Sequence, residues 1–152
     1  MRKVYRISKC IYINDMKGTG AATYGGRWHS KGVNILYTAS TSSLALLESI
    51  VHLSGIPAID YCMACFEIPE EKIMQVDVSR LPEGWNANPA SGETVIFGDR
   101  FIKQNQYLGL EVPSVIMPEE TNILLNPRHV DFPEVKIIYK RKVPIDERFF
   151  KV

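Results

Sequence analysis

The sequence predicts an α+β fold built on mixed or antiparallel sheet with few helices. Two observations carry this. Short runs fit for strands recur at seven places, residues 4–7, 34–38, 60–68, 73–78, 110–117, 123–125 and 135–143, whereas helical patterning appears at two. The runs also do not alternate regularly with helices, as a doubly wound parallel sheet requires.

In order, residues 4–7 open the chain as a strand. Residues 14–26 are rich in glycine and small side chains and are read as a loop. After the strand at 34–38, residues 40–54 form a helix with Ser40 or Thr41 as N-cap and Gly55 just past its end. On its wheel Leu46, Leu47, Ile50, Val51 and Leu53 make the apolar face. Ala45, Glu48, Ser49 and His52 share the remaining stripe, which holds no lysine or arginine. Such a stripe suits a cleft as well as a solvated face, and His52 stands four residues from Glu48, within helical hydrogen-bonding reach. Strands follow at 60–68, stopped by Pro69, and at 73–78. Residues 81–92 hold two prolines, two asparagines and Trp85 and form a loop. A helix at 99–106 precedes the last three strands. No repeat or linker divides the 152 residues, so one domain, 1–152, is expected.

The formal net charge of +1 gives no bulk drive toward nucleic acid or anionic membrane. The run Lys140-Arg141-Lys142 sits in an apolar stretch and reads as the exposed end of a strand. No apolar run has the length of a membrane helix, and the N-terminal residues lack the apolar core of a signal peptide, so a cytoplasmic protein is expected. Three cysteines, an odd and small number, argue against a disulfide scaffold. Cys62 and Cys65 make a C-x-x-C, but on a strand they face opposite sides and no second ligand pair is suitably spaced, so no metal site is expected.

The candidate chemistry starts at Gly25-Gly26-Arg27-Trp28. A guanidinium presents paired donors that match phosphate oxygens, and the glycines let backbone approach a ligand. There is no Rossmann fingerprint or P-loop, so side chains would have to grip any nucleotide phosphates. Arg6 in the first strand is a second candidate anchor, facing either solvent or a cleft. Trp28, Tyr37 and Trp85 could stack on an aromatic ligand or pack in the core. Glu48 is the candidate carboxylate. Ser114 has no histidine–acid partner set or nucleophile elbow, so a hydroxyl donor to a ligand is its better functional reading.

Taken in order, these residues resemble a known family. Tyr5-Arg6-Ile7, Gly25-Gly26-Arg27-Trp28, Gly32, Ile35-Leu36-Tyr37-Thr38-Ala39, Ser43-Leu44-Ala45-Leu46-Leu47-Glu48 and His52 carry the first half of the match. Gly98-Asp99, Val112-Pro113-Ser114, Glu120-Thr121-Asn122 and Leu124-Leu125-Asn126-Pro127 carry the second. The chain resembles the RES-domain toxins of bacterial RES–Xre type II toxin–antitoxin systems. The resemblance implies a compact relative of the ADP-ribosyltransferase fold. It implies a toxin that consumes NAD as substrate, with no true cofactor, by hydrolysis or phosphorolysis of the nicotinamide–ribose bond; transfer of ADP-ribose to a protein is the alternative, and a non-catalytic binding module a third reading. It implies an Xre-type antitoxin as partner. By motif, Arg6 and Arg27 match ligand-binding arginines, Tyr37 the family's tyrosine, Glu48 its catalytic acid and Ser114 its pocket serine, with Trp28 beside them. Phe149 and Phe150 suit a homodimer or antitoxin contact as well as a packed tail.

Overall fold

The computed structural model describes residues 1–151. Seven strands run in the order β4-β5-β6-β2-β1-β3-β7. They are β1 (Arg2–Lys9), β2 (Leu36–Ala39), β3 (Tyr61–Ile68), β4 (Ile73–Gln75), β5 (Gly109–Pro113), β6 (Thr121–Leu125) and β7 (Lys136–Lys142). Among the described residues only β4 and β5 pair in parallel; every other pairing is antiparallel. Three helices, α1 (Thr19–Tyr24), α2 (Ser42–Ile50) and α3 (Glu93–Gln104), complete an α+β architecture.

Alternation along the strands sends side chains into separate clusters. Val4, Leu36, Phe66, Ile123 and Leu125 meet on one face. Leu110, Val112 and Leu124 meet Trp28 and Phe101 of α3 on the other, with Tyr37 against them. Opposed pairs set this register: Leu36 faces Leu125, and Tyr37 faces Leu124, which in turn faces Leu110. The sheet is narrow at one place. β1 pairs with β3 from Arg2↔Ile68 to Lys9↔Tyr61, but meets β2 only at Tyr5↔Ala39.

All seven predicted strands occur in their predicted order. The helices differ more. The expected loop at 14–26 contains α1, which buries none of its residues and so shows no apolar period. Asp15 holds its start, accepting from the Thr19 amide at 3.2 Å and the Thr19 hydroxyl at 3.3 Å. α3 begins at Glu93 rather than 99, behind Gly92 at φ 89°. In α2, Thr41 is the N-cap and accepts from the Leu44 amide. The helix buries Leu44 and Ala45 rather than the expected face; it ends at Ile50, which leaves Val51 57% exposed. The expected strand at 110–117 stops at Pro113, where the chain turns.

The cysteine count proved a poor guide: Cys10 and Cys62 form a disulfide. The β1–β3 register makes them neighbours, because Ser8 pairs with Cys62 and Cys10 lies two residues on, 4.8 Å away between Cα atoms. Cys65 stays free and fully buried. No described helix is long and apolar enough to cross a membrane.

Candidate functional site

The carboxylate is positioned by a turn. Past β5, Ser114 is fully buried, and its Oγ accepts the amide hydrogens of Ile116 and Met117, both at 3.1 Å. Its hydroxyl then donates to Glu48 Oε1 at 2.8 Å. The same turn grips the start of α2, where the Thr41 hydroxyl donates to Glu120 Oε2 at 3.2 Å and the Ser114 amide donates to the Glu120 carbonyl at 2.9 Å. Glu48 is therefore fixed both through its helix and at its oxygen. This revises the reading of Ser114 as a ligand donor: its one hydrogen is already given to Glu48, so it orients the carboxylate. His52 lies exposed beyond α2, and Glu48 turns to Ser114 instead.

The glycine turn is equally constrained. Gly25 has φ 72°, open to glycine at little cost, and the Gly26 amide donates to the His29 carbonyl at 3.0 Å. A Cβ on Gly26 would fall 2.9 Å from His29 Cε1 and 3.2 Å from the Tyr37 hydroxyl, so the turn wraps closely around that phenol. Arg27 Nη1 donates to the carbonyls of Trp85 at 3.0 Å and Ala87 at 2.7 Å, and its own carbonyl accepts from the Thr94 hydroxyl at 2.6 Å. Asp99 of α3 secures the end of the turn, accepting from the Ser30 amide and hydroxyl.

Trp28 is a core residue. It is 4% exposed, meets Phe97 edge-on at 6.0 Å and packs its backbone against Gly98. The expectation that it stacks on a ligand is corrected: neighbours from α3 and the sheet cover the indole. Tyr37 is held against the turn by His29, whose Nδ1 lies 2.6 Å from the phenol oxygen. Burial pushes the phenol pKa well above its usual value, against smaller lowering effects of the Trp28 amide and the Arg27 charge, so Tyr37 is a neutral phenol.

Arg6 stands apart. By strand alternation it points away from Tyr5 and Ile7, which pack with Ala39, Leu44 and Ala45 beneath α2. Its guanidinium reaches the carbonyls of Ile13 at 3.3 Å and Tyr12 at 3.4 Å. Burial lowers its pKa, and the nearby Asp15 charge offsets this in part. No hydrogen bond or ion pair among the described residues joins Arg6 to Arg27, Tyr37 or Glu48. Neither Arg6 nor Arg27 has a carboxylate partner among the described ion pairs. The structure thus joins Glu48 with Ser114, and Tyr37 with His29 against the glycine turn, while the Arg27 guanidinium is held by the Trp85 and Ala87 carbonyls and Arg6 is left beside the narrow point of the sheet. His29 is the residue that sequence reasoning missed. The available signal was its place directly after Gly-Gly-Arg-Trp; its bond to Tyr37 depends on a fold in the turn that spacing does not reveal.

Comparison with known proteins gives this geometry a context. Residues 3–147 match the family described as RES domain. The "Prs ADP-ribosylating toxin" of Sphingobium sp. is 41% identical over 143 residues, covering 91% of this chain and 88% of the relative. A "Toxin Res" of Photorhabdus laumondii is 36% identical over 151 residues, covering 97% of each. Among solved structures, a chain of the M. tuberculosis MbcT–MbcA toxin–antitoxin complex shares the fold with a TM-score of 0.74 at 11% identity, covering 93% of this chain and 84% of that one. By the extent of the family match and by its relatives, this chain belongs to the RES domain family.

Proposed function

We propose that this chain is the toxin of a toxin–antitoxin pair and that its site cleaves the nicotinamide–ribose bond of NAD, by hydrolysis or phosphorolysis, arresting growth as NAD falls. The observation that carries the reading is the preset carboxylate of Glu48, held at 2.8 Å by a buried serine. When the bond to nicotinamide breaks, its electron pair leaves with the ring and positive charge builds on the ribose, as in glycoside cleavage. A carboxylate already oriented stabilises that charge without reorganisation. Arg27 and Arg6, guanidinia without acid partners among the described residues, supply charge for the pyrophosphate. For Arg27 this requires the ligand to share or replace the Trp85 and Ala87 carbonyls; for Arg6 it requires approach at the narrow point of the sheet. Tyr37 packs against the ribose or nicotinamide, and water or phosphate then attacks the ribose carbon. An Xre-type antitoxin would neutralise the chain; relatives named as toxins and a fold neighbour from a toxin–antitoxin complex support an antitoxin as partner.

The test is NAD loss by the purified chain, with and without phosphate, against Glu48→Gln, which keeps the shape and an acceptor for Ser114 while removing the charge. The variant is expected to melt like the parent and to lose about a hundredfold or more in turnover, the scale for one preorganised electrostatic group. Unchanged turnover removes Glu48 from the reaction. The name of the Sphingobium relative favours a second reading, transfer of ADP-ribose to a protein. Labelled NAD incubated with lysate separates the two: a discrete labelled protein band means transfer, and free ADP-ribose or its phosphate means cleavage.

A further inference from the structure

We infer that His29 is a positioning residue which commits the hydroxyl hydrogen of Tyr37 inward, so that Tyr37 meets its ligand as a hydrogen-bond acceptor. The inference rests on the reading of Tyr37 as part of the NAD site. His29 is 2% exposed and bridges two elements. Its Nε2 lies 2.7 Å from the Ala21 carbonyl of α1, and its Nδ1 lies 2.6 Å from the Tyr37 hydroxyl of β2. A carbonyl oxygen only accepts, so Nε2 carries a hydrogen. In the neutral ring Nδ1 is then bare and accepts. The phenol, which keeps its proton in this buried setting, is the donor. Hydrogen bonds therefore run in one direction, from Tyr37 to His29 to Ala21.

That direction has a chemical consequence. Having given its hydrogen to His29, the phenol oxygen keeps acceptor capacity but no hydrogen for a ligand. Tyr37 can hold a ribose hydroxyl or a carboxamide N–H; it cannot act as a general acid or donate to a carbonyl. The relay also sets the turn that carries Arg27, because Gly26 lies against both His29 and the phenol and there is no room for a Cβ between them. The groups that press on this triad from neighbouring elements are already engaged: Asp99 with Ser30, and Arg27 with the carbonyls of Trp85 and Ala87.

The direction of the relay can be read without any substrate. Long-range nitrogen–proton NMR of the histidine-labelled protein is expected to show His29 protonated at Nε2 and bare at Nδ1, with the Nδ1 resonance moving in Tyr37→Phe. A ring protonated at Nδ1 or at both nitrogens, or an Nδ1 resonance indifferent to that change, overturns the inference. Turnover of NAD supplies the functional arm. His29→Ala is expected to lower kcat/KM by about tenfold in the parent, within the range for coupled contacting residues, and by less than about twofold in a Tyr37→Phe background. His29→Gln, which keeps one acceptor and one donor, is expected to recover part of the loss. Equal cost of His29→Ala in both backgrounds means a merely structural histidine and also overturns the inference. If the parent consumes no NAD at all, the proposed reaction fails, and the NMR measurement alone decides the relay.

Discussion

Ser114 gives its one hydrogen to Glu48 and receives two backbone hydrogens, so removing its hydroxyl disturbs three groups at once. Ser114→Ala leaves the Ile116 and Met117 amides without that acceptor and frees the carboxylate to turn. The expected outcome is a loss of about 1–3 kcal/mol in urea unfolding, the cost of unsatisfied buried groups, together with a fall in NAD turnover larger than the fall in NAD binding. Away from the site, Arg2 grips Glu111 with both guanidinium nitrogens, at 2.8 and 2.6 Å, and the Thr121 hydroxyl adds a third bond. Burial raises the Glu111 pKa, but the bonds from Arg2 and Thr121 outweigh it, and the net shift is downward. A carboxylate depressed in the folded state adds stability above its unfolded pKa and loses it as pH falls through the folded value. Denaturant midpoints of the parent and Glu111→Gln should therefore differ clearly at neutral pH and converge in acid; a gap that persists at low pH contradicts the assignment. At this scale the sequence marked Glu48 as a candidate, because its helical stripe carries no counter-charge. Ser114 as its anchor was not legible, since 66 residues separate the pair.

Helix α3 approaches the glycine turn so closely that a Cβ at Gly98 would lie 1.7 Å from the Trp28 carbonyl oxygen. Backbone cannot yield as a flexible side chain does, so the helix itself must move. Gly98→Ala is expected to destabilise by about 3 kcal/mol, the upper part of the usual overpacking range, and a melting curve measures it. Displacing α3 also moves Asp99 and Thr94, which hold Ser30 and the Arg27 carbonyl, so activity should fall as well. The strands were legible because alternating apolar runs report a buried face directly. The start of α2 was legible too, from Thr41 as its N-cap, but the starts of α1 and α3 were not. Thr94, Val95 and Ile96 are β-branched and resemble a strand, yet they lie in α3 because Phe97 and Phe101 of this helix cover the second cluster. α1 has no buried face for a period to reveal, and local bonds from Asp15 hold it instead.

Across the whole molecule, the Cys10–Cys62 bond closes a chain segment of 52 residues. By loop-closure entropy this is worth about 4 kcal/mol, or roughly 10 °C in melting temperature for a chain of this length. Melting in the presence and absence of reductant checks the figure, with Cys62→Ser expected to behave like the reduced parent under both conditions. A count of three cysteines could not foresee the bond, because strand register, and not number, brings the two sulfurs together. The sheet's narrow point has a consequence of its own. One ladder position, Tyr5↔Ala39, ties the group β4-β5-β6-β2 to the group β1-β3-β7, and apolar packing of Val4 and Phe66 with Leu36, Ile123 and Leu125 supplies much of the remaining adhesion. Packing of that kind weakens on cooling. The junction between the two groups therefore depends more on apolar packing than on ladder hydrogen bonds, and its share of the stability shrinks as the temperature falls.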